Sequence, residues 1–277
     1  MGALTDRLDA GTATVWLDST DYAAALLNKG VVPWLDVGEF VSLQRRAQGL
    51  LKSDIVGLHL APACTAWLDV HADLRTAMGA KSRAVFALKT LLADEALRAH
   101  LLELANGLRA SMAGAIFALV LPSPRAWIAM AYAQAHGEAV ESGDEEADSA
   151  AVYLADFLRG FAAAGIDALL LEEAPGYVPP NAQSVALYQA VLNVADNYRW
   201  DTGLKVGGAI DEATACAAGY AVAAKPPASP RSRGRPREAC HEAYADPRRS
   251  CPTPSTRRAW PRRTAWTSSW AAAPLRA

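Results

Sequence analysis

Residues 151–176 read AVYLADFLRGFAAAGIDALLLEEAPG, and this stretch constrains the fold more than any other. Tyr153, Leu154, Phe157, Leu158 and Phe161 recur at helical spacing, which predicts an amphipathic helix with one apolar face. Gly165 is placed to end it, because helices commonly stop at a residue in the left-handed region. The apolar run 166–171 is too short for a helix and is bounded by turn residues. It predicts a strand covered on both faces, as in a parallel sheet. Glu172 and Glu173 follow at once, and Pro175 and Gly176 then turn the chain. Helix, tight turn, buried strand and acids at the strand's carboxyl end make one repeat of an α/β protein. Ligands in such folds gather at the carboxyl ends of the strands. The plain alternative is that both glutamates are solvated loop residues.

The same alternation runs along the chain. Residues 12–17 (TATVWL) predict a first strand ending at Asp18, and Ser19 or Thr20 then caps a short helix through Leu27. Pro33 argues that residues 31–36 form a loop. Residues 37–51 predict a helix with Phe40, Leu43, Ala47, Leu50 and Leu51 on its inner face. Residues 54–60 (DIVGLHL) predict a strand closed by Pro62. Residues 72–111 read as mostly helical with a break at 78–82, and residues 115–121 (AIFALVL) as a third strand ended by the turn Pro122-Ser123-Pro124. A helix over 126–135 follows, and residues 138–148 read as an acidic solvated loop rather than a metal site. A helix over 182–198, a strand over 203–208, a short helix over 211–218 and the start of a sixth strand at 220–223 complete the pattern. No strand is followed by a hairpin signal, which predicts parallel strands joined by right-handed crossovers. No Gly-x-Gly-x-x-Gly and no phosphate-loop motif follows a strand, so a barrel is favoured over a nucleotide-binding open sheet.

The formal net charge of −2 hides a split. Residues 1–224 carry 15 Lys and Arg against 26 Asp and Glu, a balance of −11, whereas residues 225–277 carry 12 against 3, a balance of +9. The first segment reads as an enzyme body and the second as a basic Pro/Arg-rich tail. The tail has no Val, Ile, Phe or Met, a single Leu (Leu275), and 9 of the 16 prolines. It cannot bury enough apolar surface to offset its ordering entropy. A disordered basic arm, a linker and a shifted reading frame all fit that composition. The shifted frame is favoured, because the pattern breaks just where a sixth strand should form. On that reading nucleic acid is not a partner, despite the charge, and Cys240 and His241 are not ligands. Cys64 and Cys216 are isolated, and no cysteine spacing suggests a disulfide framework or a closed zinc site. The start shows no secretory pattern, Asp6 stands where a myristoylation site wants a small hydroxyl residue, and no apolar run is long enough to span a membrane. A reducing cytoplasm is the expected location.

Several pieces resemble the uroporphyrinogen decarboxylase superfamily, which includes cobalamin-independent methionine synthase and corrinoid methyltransferases. Val15-Trp16 resembles the Pro-Val-Trp strand that opens the decarboxylases, and residues 40–60 their helix followed by a strand beginning at an Asp, here Asp54. Residues 115–122 resemble the strand that ends in a Gly-x-Pro turn. Residues 163–176 (AAGIDALLLEEAPG) resemble both the decarboxylase strand ending in Phe-Asp-Ser-Trp-Ala-Gly and the methionine-synthase strand ending in Asp-Glu-Pro. The resemblance covers most of residues 12–210. It implies a (β/α)8 barrel of the TIM type, here incomplete, acting on a small-molecule substrate as a decarboxylase-like lyase or a methyltransferase. A catalytically inactive, truncated member is a further reading.

The departures bear on chemistry. The decarboxylase segment Met-Arg-Gln-Ala-Gly-Arg, which binds substrate carboxylates, corresponds to Leu17–Tyr22 (LDSTDY), which has no Arg. Ala61 stands near the place of the catalytic Asp. Uroporphyrinogen itself is therefore not the expected substrate. Zinc belongs to the methyltransferase alternative, which needs a His-x-Cys pair and a later Cys, yet Cys216 stands alone before the tail.

Glu172 occupies the place of the family's Asp, which implies a role in orienting or protonating substrate. His59 sits near the carboxyl end of a strand and is either a ligand contact or a satisfied core residue; a metal pair with Cys64 is a remote alternative. Arg125, after the Pro122–Pro124 turn, is the one cation placed at a strand end before the tail, to pair with a substrate carboxylate or to cap the turn. Glu173 points to the opposite side of the strand and reads as solvent-facing. Asp18 follows a strand, and Tyr132 matches a family tyrosine but sits within a helix. The barrel should bring Glu172 within side-chain reach of His59 or Arg125.

Overall fold

Asp36 shows how local chemistry sets the elements: its carboxylate accepts the Glu39 N–H and caps helix α3 (Val37–Leu51), which ends at Lys52 in the left-handed region. Those bounds are the ones the periodicity predicts. Its inner face is Phe40, Leu43, Gln44 and Ala47, whereas Leu50 is 64% exposed, contrary to expectation. The computed structural model describes residues 2–10, 14–112, 114–175, 177, 179, 181–206 and 222–224. Before α3 stand α1 (Ala3–Asp9) and α2 (Thr20–Leu27), the latter entered at Ser19.

After α3 come β1 (Ile55–His59), α4 (Leu60–Val70), α5 (Ala72–Met78), α6 (Ala84–Ala93) and α7 (Glu95–Ser111). They are followed by β2 (Ile116–Pro122), α8 (Pro124–His136), α9 (Asp144–Arg159) and β3 (Ala168–Glu172). The described body ends with α10 (Ala182–Ala186), α11 (Gln189–Asn197), β4 (Asp201–Lys205) and β5 (Val222–Ala224). Several predictions change. Of the strand expected over 12–17, the described residues 14–17 show only the bridge at Trp16. Pro62 does not close a strand; it lies in the first turn of α4, where a missing N–H costs nothing. The acidic stretch is not all loop, because Asp144, Glu145 and Glu146 form the first turn of α9, where the helix dipole favours negative charge. The helix expected over 182–198 is broken at Leu187 and Tyr188. The helix expected over 211–218 and the tail 225–277 lie outside the described residues.

All strand pairs are parallel and the order is β1-β2-β3-β4-β5, with Trp16 adding a parallel bridge to Ile55 on the outer side of β1. The order never reverses, so right-handed crossovers place the helices on one side of the sheet. The side-chain period of two then divides each strand. Val56, Leu58, Phe117, Leu119, Leu121, Leu169, Leu171 and Leu204 join the large core under α3–α11. Ile55, Ala118, Val120 and Ala168 face the other way, into a smaller cluster with Trp16 and Leu4. Burying each large apolar side chain contributes about 1.5–3 kcal/mol, so the helix-side core dominates stability.

The smaller cluster is covered at the amino ends of the strands by α1. Asp201, at the start of β4, accepts from Leu4 N–H (2.8 Å), Thr5 N–H (3.0 Å) and Thr5 Oγ1 (2.6 Å). Arg7 pairs with Asp54 on the other side. A side chain at Gly2 would run into the Asp201 carboxylate, which leaves that position to glycine. The sheet is thus α/β and parallel, closed by a helix at one end and open to polar chemistry at the other. Among the described residues no helix is long and apolar enough to cross a membrane.

Candidate functional site

The period of two that sends Ile55 to the inner face sends His59 there too, at the carboxyl end of β1. His59 is 8% exposed, and its Nε2 stands 3.4 Å from Asp18 Oδ1. Asp18 is held there because Leu17 N–H donates to Ser53 Oγ (3.1 Å) and Asp54 N–H donates to the Val15 carbonyl (2.9 Å). Gly57, two residues before His59, leaves room for the Trp16 indole; a Cβ there would stand 3.3 Å from the ring. Asp18 and His59 also line a cleft with Ser19, Thr20, Gln44 and Gln48; its 20 Å³ is room for about one water.

A second polar pair lies further along the same face. Glu172 ends β3, Lys205 ends β4, and the two are register partners. Lys205 Nζ donates to Glu172 Oε1 at 2.7 Å, and both side chains are about four-fifths covered. Pro122 is the register partner of Glu172 on β2, while Val120 is that of His59. Strands ~4.8 Å apart rising ~3.3 Å per residue therefore put the Cα atoms of His59 and Glu172 roughly 12 Å apart on a flat sheet. Direct contact between those two side chains is not what the register provides. A small molecule lying across Val120 and Pro122 would reach both pairs.

Glu173 is not solvent-facing as expected. It is 8% exposed on the helix side, where Ser123 Oγ donates to Oε2 at 2.6 Å and Tyr188 OH donates to Oε1 at 2.7 Å. Burial raises its pKa above the ordinary value, opposed by those two hydrogen bonds and the nearby Arg125. Burial, with the Glu173 charge beside it, also pushes the Tyr188 phenol up. Arg125 belongs to this side as well. Its guanidinium bonds Asp144 and the Ser142 carbonyl and lies over the Tyr177 ring at 5.5 Å, so it holds the start of α9 against α8 rather than meeting Glu172. Tyr132 is buried within α8, its hydroxyl 3.4 Å from Glu138 Oε1 and its ring against His136. Neither Arg125 nor Tyr132 joins the inner face.

Cys64 lies in the helix-side core, 3% exposed, with its thiol pushed up to about 12 by burial. It is on the opposite side of the sheet from His59, so the two do not form a metal pair. No group of three His, Cys, Asp or Glu that could hold a metal ion occurs among the described residues. Zinc does not fit the side chains described.

Three residues escaped the sequence reading. Lys205 had a usable signal, since the apolar strand GLKVG interrupts itself with one cation. Ser123 and Tyr188 had none: a serine between two prolines reads as a turn, and a tyrosine in a helical stretch reads as core. Comparison with protein-family models, with curated proteins and with solved structures found no match.

Proposed function

We propose that this chain is the body of a (β/α)8-type barrel enzyme that acts on a small carboxylated substrate as a decarboxylase-like lyase. The observation that carries the reading is one face, at the carboxyl ends of parallel strands, bearing an anion–cation pair and a histidine–carboxylate pair. Consecutive strand order with the helices on one side supports a barrel, because that is how such a sheet curls toward closure. Lys205 exchanges Glu172 for the substrate carboxylate, a charge-assisted contact of the same kind. Glu172 then orients the polar group beside the reacting carbon. When the bond to the carboxyl carbon breaks, its electron pair stays on the substrate carbon and CO2 leaves. His59, held by Asp18, gives that carbon a proton and recovers one from water. The substrate must carry its own electron-accepting group next to that carbon, as a 3-keto acid does.

The test is release of CO2 from a panel of small 3-keto acids by the purified protein. Glu172→Gln and His59→Asn should each lower turnover by about two to four orders of magnitude with the melting transition retained. Turnover unchanged in both variants would remove this face from the chemistry. The resemblance to methyltransferases remains a weaker alternative, since no described residue favours it.

A further inference from the structure

We infer that Glu173 is the positioning residue of the site: gripped by Ser123 and Tyr188 on the helix side of the sheet, it fixes the end of β3 so that Glu172 is presented to Lys205 on the other side. This rests on the proposal that the Glu172–Lys205 face is the working one. Glu172 and Glu173 are consecutive, so the pleat sends their side chains to opposite faces, and fixing one sets the direction of the other. Each oxygen of the Glu173 carboxylate has its own donor, Ser123 Oγ at 2.6 Å and Tyr188 OH at 2.7 Å, and the three side chains are 8%, 0% and 1% exposed in the order Glu173, Ser123, Tyr188.

Two segments converge on that carboxylate. Ser123 is the N-cap of α8 and also accepts the Ala126 N–H at 3.1 Å, which leaves its proton free to turn toward the Glu173 oxygen. Tyr188 sits at the break between α10 and α11, which turns its ring toward the sheet and gives that interruption a purpose. The backbone completes the clamp. Glu173 N–H donates to the Lys205 carbonyl and Ser123 N–H donates to the Glu172 carbonyl, both at 2.8 Å. The strand ends that carry Glu172 and Lys205 are therefore stitched through the two residues of the clamp. A carboxylate left to solvent would do none of this, and burying one is costly unless its oxygens are satisfied.

The first readout needs no substrate: the rate at which an amine-reactive anhydride labels Lys205 in the full chain, followed by peptide mass spectrometry. Glu172→Ala sets the rate for a lost partner. Glu173→Ala should label several-fold faster than the parent, approaching that reference. Glu173→Gln should recover most of the protection, because one amide oxygen still accepts. Tyr188→Phe and Ser123→Ala, each removing a single donor, should fall between, and they keep the test decisive if Glu173→Ala does not fold. Labelling at the parent rate in folded Glu173→Ala, or in both single-donor variants, would overturn the positioning role. The second readout is turnover of the 3-keto acid that the parent accepts. Positioning predicts a fall in kcat with a smaller change in KM, again restored by Gln. If labelling moves and turnover does not, the working-face reading fails and the clamp stands; if labelling does not move, the clamp fails whatever turnover does.

Discussion

Glu173 is also where pH should reach stability. Burial raises its carboxyl above the ordinary 4.5, while Ser123, Tyr188 and Arg125 act in the other direction. The folded protein then holds this proton more tightly than the unfolded chain does. Such a group contributes most below about 4.5 and loses that contribution as pH rises through its native value. Glu173→Gln removes the titration and keeps an acceptor. The urea midpoint of the parent minus that of the variant should therefore decline as pH rises above about 4.5, and a difference that grows with pH would reverse the sign of the shift. At this scale the sequence told which face a residue took but not what met it there. Alternation put Glu172 and Glu173 on opposite sides correctly, yet a strand pattern cannot say that Tyr188 waits on the far side to receive the second one. Arg125 was misplaced for the same reason: its partner, Asp144, was read as loop.

Elements were more legible than contacts. The helix over 37–51 is readable from its apolar period, and in the structure the Asp36 cap and the left-handed Lys52 fall at the ends of that period. Helix α4 was missed because the apolar run of β1 passes into it at Leu60 without a turn, and because Pro62 reads as a stop although the first turn of a helix tolerates it. The turn before β3 is read only in part: Gly165 is left-handed, with φ +68°, but it does not end the helix, because α9 stops at Arg159. A Cβ at Gly165 would stand 3.1 Å from Arg109 Nε. Arg109 is the side chain that bonds Asp167 Oδ2 at 2.9 Å, and that same oxygen accepts the Phe117 N–H at 2.8 Å. Gly165→Ala should thus cost about 1–2 kcal/mol for the left-handed backbone alone, and more if Arg109 moves. Chemical denaturation will show it as a lower midpoint with an unchanged slope, and a midpoint equal to the parent's would mean the turn relaxes into another conformation.

For the whole molecule, the parallel alternation predicted from the sequence is present, while the five described strands form a sheet that does not close into a barrel. What the sequence could not announce is the role of α1. Seven residues make too short a helix to stand alone in water. It is held by Asp201, by Arg7 with Asp54, and by the packing of Leu4 and Leu8 against the inner-face cluster. Asp201→Ala strips three donors of their acceptor, each worth about 1–3 kcal/mol if it stays buried. Hydrogen exchange should then accelerate across α1 while β2 and β3 keep their protection, and a peptide covering residues 1–15 would report it. Equal protection in parent and variant would show that packing alone secures the helix.

That same anchor has a consequence for how the protein is made. Leu4 leaves the ribosome 197 residues before the carboxylate that receives its N–H. At about 5–20 residues per second, the nascent α1 segment has no acceptor for roughly 10–40 s. In the later part of that interval, once residue 120 has been made, Trp16, Ile55, Ala118 and Val120 have all emerged and still have no lid. The helix side of the sheet can assemble stepwise as each crossover is completed, since every strand pairs with the one before it. The inner side has to wait, and its apolar floor is the surface a chaperone would meet first.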